Sequence, residues 1–491
     1  MKCIYVRVIH TARDAHIRCT FSMAVAYICV YRKNRGGSLM QNDRGIFSSK
    51  IGFILAAAGS AVGLGNIWRF PYLVAQYGGG TFLLCYIILA VTFGFTLMVA
   101  EIAIGRKTGL SAVGAFDALN KHYKFIGVLG AIVPIIIYPY YSVIGGWVVK
   151  YFTAFITGGV QEAANDTYFT GFISGIGEPI LWFTIFVALT MIVVIFGVEK
   201  GIEKVSKFMM PLLVALTIGI SIYVLTIDGA MEGVRYYIMP HMSDFSAKTV
   251  LAAMGQLFYS MSLAMGIMIT YGSYMKKSAN LESSVRQIEI FDTAIAFFAG
   301  LMIVPAVFAF SGGNAEKLNA GPGLMFITLP KVFASMPFGG VLGTVFFVLV
   351  FFAAITSAIS LMETIVSILM DTFHWSRKVT CIIVFVYCLI MGIPSSLGFG
   401  VWDFIQPLGM SILDACDFIS NSVLMPIVAL LTCFFVGYVI KPESIIEEAC
   451  AEGAEFKSRK LFTIVIKWVA PVILIAILIS SVLNAMGIYT L

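Results

Sequence analysis

Charge is what this chain is short of. Only 12% of its 491 residues are Asp, Glu, Lys or Arg, against 59% hydrophobic, and mean hydropathy is +0.94. A soluble domain is typically about a quarter charged. This chain cannot cover a globular surface with polar groups, which excludes a soluble multidomain enzyme, a nucleic-acid binder and a disordered hub. Histidine is scarce as well: five residues, none in an HExxH pattern. The nine cysteines form no CxxC pair, and most fall in apolar runs, which argues against metal clusters and disulfide frameworks. No Ser/His/Asp constellation supports a membrane enzyme. What the chain has instead is long apolar runs interrupted by 46 Gly and 15 Pro. That is the composition of a polytopic helical membrane protein with broken helices.

Uncharged runs of about 20 residues mark eleven spans, near 51–72, 80–104, 125–150, 179–198, 208–227, 249–275, 288–311, 338–370, 379–396, 407–438 and 464–487. Loop charge alternates. Loops 106–124, 197–208, 274–288, 373–380 and 438–462 hold 16 Lys and Arg; the loops between them on the other side hold 4. The positive-inside rule then puts the N-terminus in the cytoplasm and, after eleven spans, the C-terminus outside. Residues 1–39 read as a doubtful extension. Their apolar stretch, Met23 to Val30, is too short to span, no small-residue cleavage site follows it, and Met40 is the expected start. The outer loop from Gly321 to Pro330 is apolar and bounded by Gly and Pro; it either packs into a cavity or covers helix ends.

Two spans carry polar groups where the bilayer is driest. The first reads Gly59-Ser60-Ala61-Val62-Gly63-Leu64-Gly65-Asn66-Ile67-Trp68-Arg69. Three glycines weaken the helix in its middle. Gly59 and Gly63 alone would suit a small-residue packing face, but Gly65, Asn66 and Arg69 are left unexplained by that. The sixth span places Gln256, Ser260 and Ser262 in mid-membrane; serine bonding back to its own helix is the plain alternative. The two spans stand five helices apart, as an inverted repeat places them. Unwound backbone survives in a membrane only where it lines a cavity or binds something. Free carbonyls suit cations, and half-helix N-termini suit a carboxylate. These residues therefore predict a mid-membrane site for a small zwitterion with coupled cations.

At these positions the chain resembles the neurotransmitter:sodium symporter family in its bacterial eleven-helix form. The resemblance covers roughly 44–491. It is carried by Ala56 to Pro71, Gly78-Gly79-Gly80-Thr81-Phe82, Gly321 to Pro330, and Ala353-Ala354-Ile355-Thr356-Ser357. It implies an all-α, leucine-transporter-like fold of two inverted five-helix repeats, about 50–227 and 249–438 within a transporter domain of 40–487. Spans one and six are broken, and 464–487 is an extra helix. The implied function is sodium-coupled symport of a neutral, hydrophobic or aromatic amino acid into the cell, across a bacterial inner membrane. The implied assembly is a monomer or weak homodimer in lipid, with no organic cofactor and no nucleic acid. A same-fold carrier of another solute, a proton-coupled carrier and a non-transporting sensor remain as alternatives.

The resemblance also assigns residues. Sodium site one would use Ala61, Asn66, Ser260 and Asp292. Sodium site two would use Gly59, Val62, Ala353, Thr356 and Ser357. The substrate carboxylate would meet Leu64, Gly65 and Tyr141; its amine, carbonyls at Ala61, Tyr259 and Ser260 with the Ser262 hydroxyl. Ile137, Tyr259, Ser262, Met265, Ser360 and Leu361 would form the side-chain pocket. Ala264 stands where the family often has Gly, which narrows the pocket. Arg69 and Asp417 would be the outer gate; Arg44 and Asp371, with Tyr274 between them, the inner one. Of the family's chloride-binding group, Tyr86, Gln256 and Ser260 match, but Ala296 replaces a hydroxyl. Asp292 supplies a negative charge nearby instead, so chloride is not expected to be required. Glu101 is expected at the cytoplasmic end of span two, in a structural role.

Overall fold

The computed structural model describes residues 45–311 and 322–485. The possible extension 1–39, Met40, Arg44 and Gly321 lie outside the described residues. Everything below concerns the body from Ile46 onward. Its membrane helices are α1 (Lys50–Ala61), α2 (Gly65–Gln76), α3 (Gly80–Thr108), α4 (Lys121–Ile156), α5 (Gly177–Ile195) and α6 (Val198–Leu225). They continue as α7 (Ala247–Ser260), α8 (Ile267–Ser273), α9 (Leu281–Phe310), α10 (Leu324–Ser335), α11 (Gly339–Phe373), α12 (Arg377–Leu397), α13 (Ile412–Val439) and α14 (Arg459–Ser481). Among the described residues nine helices are long and apolar enough to cross a membrane. The pair α1 and α2, bent by 53°, makes a tenth. The pair α7 and α8, separated by residues 261–266, occupies the place of the expected sixth span.

The breaks have local causes. Helix α1 opens on Ser49, whose hydroxyl accepts the Gly52 N–H at 3.1 Å, and stops where Val62 turns extended at ψ 100°. Between α7 and α8 three residues take left-handed backbone: Ser262 at φ 53°, Ala264 at φ 60° and Gly266 at φ 72°. Only glycine visits that region without cost. Two L-residues there mean that tertiary contacts hold the break open.

Burial sorts the helices. In α11, 78% of the apolar window is buried, against 33% in α5 and in α14. Helix α11 is therefore central, packed along α4. The peripheral helices turn apolar side chains outward, such as Ile382, Val386 and Ile390 of α12 and Val472, Ile475 and Ile479 of α14. With no polar groups to offer water, those stripes face lipid. Helix α8 lies backbone to backbone on α3. A Cβ added at Gly105 would stand 1.8 Å from the Ile269 carbonyl oxygen, and one at Gly272, 2.3 Å from that of Ile102.

Contacts at the helix ends group the loops into two sets. At the Lys- and Arg-rich end, Arg106 and Lys277 both reach Glu448, at 2.8 and 2.7 Å. Glu203 there accepts the Ser48 N–H and hydroxyl at 2.7 and 2.6 Å. At the other end, Thr81 donates to the His241 carbonyl at 2.8 Å and Tyr236 to that of Ala75 at 2.6 Å. The Gly-Gly-Gly turn after span one passes under this strap. A Cβ at Gly79 would meet the Tyr236 carbonyl oxygen at 2.1 Å.

Candidate functional site

The two breaks face each other, and a small cavity of about 30 Å³ lies between them. One end is polar. Leu64 and Gly65 bring the start of α2, whose first backbone N–H groups have no intrahelical acceptor, and Ala61 brings the end of α1. Ser260 and Ser262 come from the other break, and Tyr141 from α4. The Tyr141 hydroxyl is buried beside the Ser357 hydroxyl and the Leu64 backbone, with no well-formed hydrogen bond to either. A buried phenol left without one costs about 1–3 kcal/mol, so its place at the cavity marks a group that a ligand satisfies. The other end is apolar: Ile137, Tyr259, Met265 and Leu361, joined by Ile267. Ser360 is not part of this lining; its hydroxyl pairs with that of Tyr271 at 2.7 Å. Three further residues that the sequence did not suggest for the substrate line the cavity: Ser60, Gly63 and Ser357.

Beside the polar end sits a fully buried carboxylate, Asp292 of α9. Three donors meet it: the Asn66 amide and the Ser260 hydroxyl on Oδ1, each at 2.8 Å, and the Tyr86 hydroxyl on Oδ2 at 3.1 Å. The Asn66 oxygen accepts the Gly63 N–H at 3.1 Å, which holds the unwound segment in shape. Gln256 donates to the Gly65 carbonyl at 2.9 Å, and its own oxygen is buried without a partner. Asn66, Ser260 and Asp292, proposed for one sodium, are thus one cluster. Its oxygens are hard donors of the kind that small hard cations take.

The second set lies on the far side of α1. A Cβ at Gly59 would stand 3.3 Å from Thr356 Cβ, and one at Gly63, 2.7 Å from Ser357 Oγ. Glycine at both positions lets α11 approach the break. The Ser357 hydroxyl points at the Ser60 and Val62 carbonyls, at 3.1 and 3.4 Å. Thr356 bonds back to Phe352 at 2.8 Å and Ala353 at 3.2 Å. Gly59, Val62, Ala353, Thr356 and Ser357 therefore stand together, with neutral oxygens and no carboxylate among them.

At the Lys-poor end the Arg69 guanidinium lies 5.3 Å over the Tyr259 ring. It makes no ion pair with Asp417 in this conformation. Asp417 is instead held by Tyr140 at 3.0 Å and Asn421 at 2.6 Å. A larger cavity of about 260 Å³, lined by Arg69, Tyr259, Asn421 and Ser480, opens above it. At the opposite end Asp371 accepts the Ser111 N–H and hydroxyl at 2.9 and 2.5 Å. Tyr274 donates to Glu363 at 2.7 Å. Arg377 closes on the same carboxylate with two bonds, 2.6 and 2.9 Å.

Two of these placements correct the sequence reading. Glu101 does not mark the end of span two: α3 runs on to Thr108, and Glu101 is buried. Its carboxylate accepts the Ala264 N–H at 2.7 Å, holding one of the left-handed residues of the second break. The helix outlasts its apolar run because Arg106 is buried and paired with Glu448 rather than left in water, and Lys107 beyond it is anchored on Ser444. The Glu363–Arg377 pair was missed altogether. A lone carboxylate inside an apolar span needs a partner, and that signal was present in the sequence.

A family model described as the sodium:neurotransmitter symporter family matches residues 44–171 and 167–489. The chain belongs to this family. It is 37% identical over 407 residues to YhdH of Bacillus subtilis, named as an uncharacterized sodium-dependent transporter; that alignment covers 82% of this chain and 89% of the relative. A second relative of that description, in Haemophilus influenzae, is 32% identical over 89% of this chain and 98% of its own. Among solved structures, MhsT in complex with L-phenylalanine matches with a TM-score of 0.82 and 39% identity, covering 89% of this chain and all of that one. The chain is thus a sodium-dependent multi-pass membrane transporter and not an enzyme, with the broken-helix fold expected from its sequence.

Proposed function

We propose that this transporter carries a neutral, hydrophobic or aromatic amino acid together with two sodium ions. The observation that supports it most is the two-ended cavity. Its polar end combines a helix N-terminus and a partnerless phenol, suited to a carboxylate, with serines and break carbonyls suited to an ammonium group. Its apolar end has no charged lining residue to meet a charged side chain. MhsT, with phenylalanine bound, has the same fold.

Sodium one would sit with Ala61, Asn66, Ser260 and Asp292; sodium two with Gly59, Val62, Ala353, Thr356 and Ser357. A zwitterion with two sodium ions moves two net charges. At about 2.3 kcal/mol per charge per 100 mV, that gives about 4.6 kcal/mol. It supports roughly a thousandfold accumulation before the sodium gradient itself is counted. Chloride is not needed in this reading. The Tyr86 and Ser260 hydroxyls already serve a fixed anion, Asp292. The Lys- and Arg-rich end faces the cytoplasm, in a bacterial inner membrane, with Arg69 and Asp417 closing the outer path over the bound amino acid.

Uptake of a radiolabelled amino-acid panel into proteoliposomes tests this. The expected result is accumulation of Leu, Met, Phe, Tyr or Trp that needs external sodium and survives replacement of chloride by gluconate. In Asn66→Ala, sodium-driven uptake should fall roughly ten- to hundredfold, the worth of a contact to a charged group. Sodium-independent uptake would overturn the proposed coupling to two sodium ions, and no uptake of any amino acid would overturn the substrate assignment.

A further inference from the structure

Three elements meet at one backbone oxygen, the carbonyl of Ser60, next to last in α1 and buried. It accepts the Ser262 hydroxyl at 2.9 Å, from the break between α7 and α8. It also accepts the Ser357 hydroxyl at 3.1 Å, from α11. The Ser60 hydroxyl in turn donates to Ser262 Oγ at 3.2 Å.

A hydroxyl has one proton and two lone pairs. Where the proton points decides whether the oxygen can serve a cation. Ser357 has two carbonyls in reach, Ser60 and Val62. The Val62 oxygen belongs to the proposed sodium set, and a proton aimed at it would face the ion. Only the Ser60 oxygen lies outside that set. Thr356 has the same choice within its own helix: Ala353 belongs to the set and Phe352 does not. Ser262 is constrained more tightly. Its proton goes to the Ser60 oxygen and one lone pair takes the Ser60 hydroxyl. One lone pair is left at the cavity it lines.

We propose that Ser60 is a positioning residue whose carbonyl draws the protons of Ser262 and Ser357 away from the two cation sites. Both hydroxyls then present lone pairs, one to the substrate ammonium group and one to sodium. The two cations are coupled through that single oxygen. This rests on the amino-acid and sodium reading above. Its distinctive consequence is that Ser262, which is no sodium ligand, affects sodium binding when no amino acid is present. Losing the Ser262 hydroxyl leaves the shared carbonyl to Ser357 alone, which tightens the bond that keeps Ser357 in its sodium-ready orientation.

The test is binding of radioactive sodium to the purified transporter without amino acid. Ser262→Ala and Ser262→Gly both remove the hydroxyl, and glycine suits the positive φ at this position, so backbone strain cannot account for a shared effect. Both variants are expected to lower the half-saturating sodium concentration about two- to threefold, part of the net worth of one hydrogen bond. If the Ser262 variants lose amino-acid affinity while sodium binding stays at the wild-type value, the proposal is overturned. An equal shift in Ser60→Ala, which keeps the carbonyl and loses only the hydroxyl, would assign the coupling to the hydroxyl and overturn the role given to the carbonyl. If Thr356→Ala and Ser357→Ala leave sodium binding untouched, the second sodium site itself falls, which is a different result from either of these.

Discussion

The two ends of the transport path use the same side-chain types in opposite states. Each has an arginine, a carboxylate in a helix and a tyrosine. At the outer end they stand apart: Arg69 rests on the Tyr259 ring, Asp417 is held by Tyr140 and Asn421, and a cavity of about 260 Å³ lies open beside them. At the inner end they are assembled. Arg377 grips Glu363 with two bonds, Tyr274 adds a third, and the Phe47 N–H fixes the Tyr274 carbonyl at 3.1 Å. Glu363 is fully buried. The residues alone do not make a gate; what closes a path is their being within bonding distance. The structure is therefore closed at its Lys- and Arg-rich end, the cytoplasmic one in the proposed orientation, and transport by alternating access would require that the assembled end come apart.

The comparison is broken most severely by Glu363→Gln. Removing one member of a buried ion pair leaves the other uncompensated, at a cost of about 3 kcal/mol. Thermal unfolding in detergent should show that loss, and a cysteine placed beside Tyr274 should become reactive from the cytoplasmic side. Adding Arg377→Gln removes the stranded charge and should recover part of the stability. If the single variant is as stable as wild type, the inner pair does not hold this end shut.

Tyr274→Phe asks for less. It keeps the ion pair and the ring packing against Phe47 and removes one hydrogen bond to the carboxylate. The expected loss is about 1.5 kcal/mol, the lower range for a bond to a charged group. The same cysteine probe should react more slowly than in Glu363→Gln and faster than in wild type. Equal reactivity in both variants would mean that tyrosine and arginine do not act separately on Glu363.

The difference between the ends also explains what the sequence made legible. Gly59, Gly63, Gly65 and Asn66 announce the first break because helix-weakening and polar residues are rare in an apolar run, and each has a visible consequence in the structure. The cluster at Asp292 was within reach for the same reason. Ser262 and Ala264 could not announce their left-handed backbone, since nothing in an L-residue favours it. The cause lies in the Glu101 contact to Ala264, which joins positions 163 residues apart. Ser60 was passed over because its contribution is a carbonyl, which every residue has. The Arg69–Asp417 gate is what the family resemblance implies, and a sequence does not reveal which conformation brings the two charges together.

The smallest expected effect sharpens the comparison most. Arg69→Gln removes a charge from a membrane protein, yet in this conformation no ion pair is lost. What goes is the contact with the Tyr259 ring, worth about 0.5–1 kcal/mol for a partly exposed cation, and a longer-range attraction to Asp417. Unfolding without amino acid should therefore shift little, far less than in Glu363→Gln. Uptake should nevertheless fall strongly, because the proposed outer gate cannot close without the guanidinium. Stabilisation by added amino acid should be smaller than in wild type, since in the proposed gate the wild type would gain an Arg69–Asp417 contact on closing and the variant would not. A ligand-free stability loss as large as that of Glu363→Gln would show that Arg69 is already engaged at the outer end, and the contrast between the two ends would collapse.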